Sequence, residues 1–466
     1  MENTMRTSQV NPWIIFFFVT LGTLMVNIDS SIINVALPTL QQTFGASINQ
    51  VQWVITIYLL VITGTLPFIG KLSDDKGRKK FYIWGVAVFI LGSVLSAFST
   101  SLFILVAARA VQGIGGSMIM GNVMGIVANT FPQGSRGKAL GTIGAVVAVG
   151  TIVGPALGGL LIDQFGWRFI FWINVPLGIL SFIGSSHFMP FLMPDFNNHK
   201  AKYDISGSVL FFMATATLLY FLSNVGEGEI GFTTGIILLV VSILSWVAFF
   251  YIEKNADDPM VNLGFFKNPQ FAVGIVSMFI YYHLMMTTYV LLPLYFAHFL
   301  EIPVFYIGLL MTPQAIIMIF VAQFSGWLAD RIGMQLPSII GMLIVTLDLW
   351  WMISFNAQTT YVEIVITMVV LGIGLGLFAS PNNVSILESL PASKSGIVGS
   401  LIATMRNFGQ VTGTAVGILL LNFGLGQFNG HYDQAMNLAF TVSVVIGFIT
   451  ILLLLLGVKL NTNVKS

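Results

Sequence analysis

Apolar runs long enough to cross a lipid bilayer recur along this entire chain, separated by short polar breaks, and nothing else in the sequence constrains its fold as much. A helix rises about 1.5 Å per residue, so ~20 apolar residues cross a hydrocarbon core of ~30 Å. Read to within about four residues at each end, such runs fall at 13-35, 47-70, 81-98, 101-123, 137-162, 167-189, 204-224, 233-252, 270-296, 305-329, 335-354, 361-380, 396-421 and 437-458. The chain is therefore expected to be all-α, a polytopic membrane protein with fourteen transmembrane helices. Composition agrees, since 56% of the 466 residues are hydrophobic and 8% charged, against about a quarter charged in soluble domains.

Cationic side chains collect in cytoplasmic loops, which orients the spans. With the N-terminus inside, sixteen of the nineteen Lys and Arg fall on the inner side, Arg168 alone falls outside, and Arg109 and Arg406 lie within spans. One missed or invented helix would invert every later loop and scramble this asymmetry, so both termini are expected in the cytoplasm. The first run, polar at Asn27, Asp29 and Asn34, reads as a retained spanner and not a cleaved signal peptide. A net charge of +1 supplies no field for nucleic acid. The absence of cysteine removes disulfides, thiolate metal sites and Cys nucleophiles, and no cofactor or metal is expected.

The loop after the second run reads Gly70-Lys71-Leu72-Ser73-Asp74-Asp75-Lys76-Gly77-Arg78-Lys79-Lys80, and Gly326-Trp327-Leu328-Ala329-Asp330-Arg331-Ile332-Gly333 follows the tenth with Gly, Leu, Asp and Gly at the same offsets. A repeated string implies two parallel copies of a six-helix unit. The expected plan is an N-terminal six-helix bundle over 1-200, two extra linking helices over 201-260, and a C-terminal six-helix bundle over 261-466. In the loop, Gly70 and Gly77 permit close backbone approach, while Asp74 caps a helix N-terminus or pairs with Arg78 across the seam between halves.

Segment number, loop and repeat together resemble the major facilitator superfamily, in particular its fourteen-helix drug:proton antiporter branch, which exports quaternary ammonium compounds and fluoroquinolones from bacteria. The supporting strings are Leu21 to Pro38 with Asp29, Gly70 to Lys80, Arg109-x-x-Gln112-Gly113, Gly150-x-x-x-Gly154-Pro155-x-x-Gly158-Gly159, and Trp167 to Phe171 with Asn174-Val175-Pro176. The resemblance implies a proton-coupled exporter in the bacterial inner membrane and an intramembrane Arg that aids proton transfer. It further implies that the Gly150, Gly154, Gly158 stripe, with Pro155 and Gly159, belongs to exporters and lies where helices five and eight of a twelve-helix core meet.

An ionisable group inside a span costs at least ~2.5 kcal/mol to insert and is a functional candidate by default. Asp29, Arg109, Asp348 and Arg406 meet that condition, with His283 behind them. Asp29 lies ~24 Å along its helix and ~9 Å from the outer face, and Arg109 lies ~12 Å below that face, so the two share a depth. Burial favours the neutral form of a carboxyl and a neighbouring cation favours the ionised form. A carboxyl that trades a cation for a proton is what antiport needs. Proton or substrate coupling is therefore the expected role of Asp29, ahead of helix-end capping. Arg109 and its neighbour Gln112 have two open readings: proton-relay tuning, or a structural tie between helices four and one.

His283 is open between a hydrogen-bonded spacer and a pH-responsive cavity residue. Arg406 and Gln410 share a helix face with Asn407 beside them, either binding polar substrate groups or stabilising the C-terminal half. Gln314 suits a cavity wall. Asp348 is expected to snorkel toward the outer interface beside Trp350 and Trp351. No acid lies within 305-329, so divalent cations are not expected as substrates, whereas monovalent cationic, zwitterionic or neutral lipophilic drugs are.

Other classes find little support. No Gly-x-x-x-x-Gly-Lys-Ser/Thr cradle exists for ATP, and His-Glu-x-x-His and Gly-x-Ser-x-Gly are both absent, so no enzyme is expected. Gly374-x-Gly376-x-x-Ala379 lies inside an apolar run and reads as packing. The expected function is multidrug efflux by a proton-coupled antiporter, conferring antibiotic resistance and working by alternating access as a monomer. The rivals are a dedicated exporter of one metabolite, peptide or lipid, and a proton symporter.

Overall fold

A computed structural model describes residues 11–131, 133–189, 205–224, 232–256, 259, 263–390 and 395–465. Both chain ends, the boundaries at 200/201 and 260/261, and the side chains of Asp74 and Asp330 lie outside the described residues. The described elements are helical: α1 (Pro12–Phe44), α2 (Ile48–Lys76), α3 (Arg78–Ala97), α4 (Leu102–Thr130), α5 (Gln133–Phe165), α6 (Phe169–Trp172), α7 (Asn174–Phe188), α8 (Ile205–Asn224), α9 (Phe232–Asn255), α10 (Pro269–His298), α11 (Val304–Ile332), α12 (Gln335–Met352), α13 (Tyr361–Glu388), α14 (Ser395–Gln427) and α15 (Tyr432–Lys465), with a short 3-10 turn at Leu263–Lys267.

Among the described residues, twelve helical stretches are apolar and long enough to cross a bilayer, the broken α6–α7 pair counting as one. Two shorter apolar stretches, Val149–Phe165 and Ser206–Leu222, stand where the fifth and seventh spans are expected. Caps written in the sequence set the helix ends. Ser47 with Gln50 and Thr360 with Glu363 form reciprocal capping boxes, which satisfy two orphan amides each.

Helix pairing repeats between the halves. In the N-terminal half α1 packs on α5 and α7, and α4 on α2 and α3, while α10 packs on α14 and α15, and α13 on α11 and α12. The repetition reaches individual atoms. A Cβ on Gly150 would meet Leu24 O, Asn27 Cβ and Ile28 N of α1, and one on Gly409 would meet Phe279 O, Tyr282 Cβ and His283 N of α10. Gly113 lies against Tyr58 O as Gly372 does against Gln314 O, and Gly115 against Phe89 N as Gly374 does against Val345 N. The loop strings follow the same rule. Gly77 and Gly333 turn the chain with φ of 103° and 88°, each donating its N–H at 2.9 Å to the carbonyl four residues back.

The halves meet along α5–α11, α2–α14 and α1–α10. Helices α8 and α9 pack on each other, and α8 rests on α2 and α14, with Phe212 filling a notch left by Gly64 and the Phe211 and Trp246 rings against Phe408. The extra pair thus covers one seam between the halves.

Burial along the two central helices shows where the halves separate. From Ser31 to Pro38 every residue of α1 is buried, and from Leu284 to Phe296 every residue of α10. Toward the end carrying the Gly77 and Gly333 turns, here the near end, Leu21, Leu24, Asn27 and Ser30 of α1 and Phe279, Tyr282 and His283 of α10 become half-exposed. At the far end His298 bonds Gln41 at 3.1 Å, Asn422 bonds Asn49, and Gly308 lies on Pro155 O and Gly159. The cleft between the halves is open at the near end and shut at the far end.

Gly77→Ala places a side chain at a backbone conformation open to glycine alone and is expected to lower the thermal midpoint of the purified protein in detergent. Gly70→Ala, whose Cβ meets nothing within 4 Å, is expected to leave it within a degree or two of wild type.

Candidate functional site

Asp29 sits at the middle of α1, fully buried, on the side turned toward the rest of its own half. Its Oδ1 accepts hydrogen bonds from Gln112 Nε2 at 2.8 Å and Asn174 Nδ2 at 2.7 Å, and its Oδ2 accepts one from Arg109 Nη1. Arg109 is itself fully buried. Its Nε donates to Val54 O at 3.0 Å, its Nη1 also donates to Gln112 Oε1 at 2.7 Å, and its guanidinium lies 4.0 Å above the Tyr58 ring. Ser93 Oγ accepts from Gln112 at 2.7 Å and from Asn174 at 3.2 Å. Five helices, α1, α2, α3, α4 and α7, each supply a part.

Local sequence explains how these parts converge. Arg109 and Gln112 stand three residues apart on α4 and so share a face. The interruption at Ile173 between α6 and α7 puts Asn174 at the first position of α7, where its amide side chain reaches the carboxylate. Gly92 admits the α4 backbone, because a Cβ there would lie 2.6 Å from Gln112 Cα.

The arrangement is matched to changing partners. Were Asp29 to take up a proton on Oδ2, Arg109 would keep the Val54 carbonyl, the Gln112 oxygen and the Tyr58 ring face, while its Nη2 has no hydrogen-bond partner, so the charge left behind is only partly compensated. Were Arg109 to withdraw, the carboxylate would keep two amide donors. Ser30 and Asn27, on either side in sequence, are half-exposed to the cleft, so the cluster is one residue away from the near-end space.

Sequence reasoning brings Asp29, Arg109 and Gln112 to one depth, and the structure brings them into contact. Asp29 lies mid-helix, which removes helix-end capping as its role. Two members were missed. Asn174 stood inside a quoted string without an assigned role, and Ser93 carried no signal beyond being a hydroxyl within a span.

The other candidates do not join this cluster. His283 Nδ1 shares a hydrogen bond with Thr412 Oγ1 at 3.1 Å. Gln314 is buried and donates to the Tyr289 hydroxyl at 2.9 Å, so it faces a neighbouring side chain and not the cleft. Arg406 is half-exposed on α14 beside the Tyr282 hydroxyl. Asn407 is buried with its amide nitrogen lacking a partner, and Gln410 is half-exposed. Gly150, Gly154 and Gly158 lie against Leu24 to Ile32 of α1, and it is Gly159 that meets α11. The stripe therefore tightens the α1–α5 pair, and only its last member reaches the junction where the resemblance puts it. Arg78 inserts its guanidinium where a Cβ on Gly125 of α4 would stand. Gly374 and Gly376 contact Val345 and Met318, as packing residues do.

Asp348 overturns its expectation. It does not snorkel: it is 1% exposed, while Trp350 and Trp351 are 58% and 42% exposed, and neither of its carboxyl oxygens has a hydrogen-bond partner. The helix is rotated so that Asp348 shares the inward face of Val345, Leu349 and Met352. The glycine contacts that relate the halves place Asp348 opposite Gly92 in the other half, with Leu349 for Ser93, Met368 for Arg109, Leu371 for Gln112 and Leu284 for Asp29. Asp348 thus occupies the apolar counterpart of the charged cluster.

The sequence profile of the Major Facilitator Superfamily matches residues 19–414 and, in a second placement, 275–464. The chain is 35% identical over 404 residues to the riboflavin transporter RibZ of Clostridioides difficile, spanning 86% of this chain and 87% of that one. It is 28% identical over 424 residues to the multidrug resistance protein Stp of Mycobacterium tuberculosis, spanning 89% and 77%, and 27% identical over 392 residues to the lincomycin resistance protein LmrB of Listeria innocua, spanning 84% and 83%. Among solved structures, the peptide transporter POT in complex with sulfate shares the fold with a TM-score of 0.69 at 13% identity, covering 94% of this chain and 93% of the other.

Two substitutions separate a paired from an unpaired buried acid. Arg109→Met strands the Asp29 carboxylate and is expected to destabilise by about 3–5 kcal/mol, whereas Asp348→Leu removes two unsatisfied oxygens and is expected to raise the thermal midpoint in detergent. A midpoint lowered by Asp348→Leu would mean that this carboxyl has a stabilising partner.

Proposed function

The chain belongs to the Major Facilitator Superfamily and is a transporter, not an enzyme; on that premise we propose that it is a proton-coupled antiporter exporting lipophilic monovalent cationic, zwitterionic or neutral drugs, multidrug in scope and so a source of antibiotic resistance. In this reading fourteen helices cross the bacterial inner membrane, both termini are cytoplasmic, the near end faces the cytoplasm, and a single copy suffices. The bundles are 1-200 and 261-466, with 201-260 an added pair between them.

The observation that carries the proposal is the Asp29–Arg109 pair, sealed in the N-terminal bundle at the depth where α1 passes from half-exposed to fully buried. A buried carboxylate persists only with a counter-charge, so a proton arriving from outside at Asp29 frees Arg109, repacks α4 against α1 and α2, and biases the two bundles toward the opposite opening. Substrate taken from the cytoplasmic cleft resets the pair as the proton leaves inward. This is alternating access with one exchangeable carboxyl, a two-state element biased by both proton and substrate. Multidrug scope is supported by similarity to proteins named for multidrug and lincomycin resistance.

A dedicated exporter of one metabolite, peptide or lipid is the second reading; a single-metabolite substrate is favoured by the 35% identity to a protein named for riboflavin transport, whose name gives no direction. Everted vesicles energised to a pH gradient distinguish the two. Addition of several unrelated drugs is expected to release protons from the lumen, and Asp29→Asn, expressed to the same level, is expected to abolish that release. Proton release by riboflavin alone would favour the dedicated exporter, and full activity in Asp29→Asn would remove this carboxyl from the mechanism.

A further inference from the structure

We propose, resting on the transporter reading above, that the cleft selects planar aromatic substrates presenting an anionic edge, with Arg406 as the group that recognises it and Tyr282 as the residue that positions Arg406.

The charge balance of the cleft points this way. Asp29 is no free acceptor, because each of its oxygens is already hydrogen-bonded within the N-terminal cluster. Among the described side chains, no other carboxylate lies at the depth of Phe279 to His283 on the cleft side of the C-terminal half. Asp348 is buried on α12 and Glu253 on α9. Helix α12 packs on α11, α13 and α15, and α9 on α8. Asp163, Glu301, Glu363 and Asp433 stand toward the far end, and Glu388 stands exposed at the near-end terminus of α13, more than three helical turns beyond the level of Gly376. Among the described residues of the C-terminal half, the charged group at the level of the half-exposed stretch of α10 is Arg406, which stands one helical turn before Gly409, the residue packed on Phe279 and Tyr282.

The two walls of the cleft are unlike. The N-terminal wall presents Leu21, Leu24 and Asn27, and Val147 where the repeat places the counterpart of Arg406. The C-terminal wall presents the Phe279 and Tyr282 rings and the guanidinium. Tyr282 is itself fixed, its ring meeting Tyr281 edge-on at 4.8 Å, and its hydroxyl adjoins Arg406. Phe279 leans on Phe408 at 5.3 Å, which is backed by Phe211 and Trp246 from the added helices. Flat ring faces bind flat molecules. They would also attract cations, but a cation seated on them would stand beside the like charge of Arg406, which opposes that attraction. A planar guanidinium offers paired donors to a carboxylate, sulfonate or enolate edge. An anionic class is thus added to the monovalent cationic, zwitterionic and neutral drugs expected from the sequence.

The test compares two dyes built on fused three-ring cores in everted vesicles holding the full chain: the monoanion resorufin and the monocation ethidium, the latter larger by a phenyl and an ethyl group, each measured as dye content after filtration. The expected result is transport of resorufin at about tenfold or more the rate of ethidium, with Arg406→Gln lowering resorufin transport by about tenfold or more and Arg406→Lys falling between. Tyr282→Phe is expected to raise KM for resorufin with kcat little changed, which a purely structural residue would not do. Preference for ethidium, or an unaltered resorufin rate in Arg406→Gln, overturns the proposal. If Arg406→Gln fails to reach the membrane, the selectivity of the wild type and the KM of Tyr282→Phe decide. Proton release is read in the same vesicles. Proton-coupled ethidium export keeps the antiporter and defeats the anion selectivity, resorufin transport without proton movement does the reverse, and transport of neither dye defeats both.

Discussion

A carboxylate and a guanidinium held together in full burial are the constraint around which the N-terminal bundle is organised. In hydrocarbon each ion alone carries a penalty of several kcal/mol, and the chain meets it by drawing Gln112, Asn174, Ser93, Tyr58 and the Val54 carbonyl onto the same pair. Because those partners come from five helices, the relative rotation of all five is tied to one ion pair. Any change in the charge of Asp29 is therefore felt as a change in helix packing, which is what a coupling site requires.

The C-terminal bundle shows the same architecture without that burden. Its glycine crossings repeat those of the first half nearly atom for atom, yet Leu284, Met368, Leu371 and Leu349 stand where the ionic cluster would be, and Asp348 stands there without a partner. One bundle thus carries a charged, hydrogen-bonded network and the other its largely apolar counterpart. The polar groups of the second bundle are displaced to the cleft wall, where Arg406 and His283 lie beside half-exposed aromatic rings. Division of labour between the halves follows from side-chain identity on a common backbone plan.

Closure at the far end is made by small and neutral polar contacts: Gly159 on Gly308, Gln41 on His298, Asn49 on Asn422. Contacts of this kind are modest in net energy. Helices α8 and α9 cover the α2–α14 seam with aromatic side chains, whereas the α5–α11 seam is held by bare backbone approach at glycine. The two seams, equivalent by the repeat, are closed by different means.

Much of this was legible in the sequence by itself. Hydropathy is a local property, so the apolar spans, the repeated Gly-x-Leu-x-Asp-x-x-Gly turns and the few intramembrane ionisable residues could be read by counting. The shared depth of Asp29 and Arg109 followed from the constant rise of a helix. What counting along an axis does not supply is rotation about it. Whether Asp348 faced lipid or protein, whether Gly150 met α1 or α11, and whether Gln314 faced the cleft or Tyr289 all depended on which side of each helix was turned inward, and packing of the whole bundle settles that. Asn174 and Asp29 lie 145 residues apart. Their hydrogen bond exists because α7 and α3 close around α1, a fact of tertiary structure that no local pattern records.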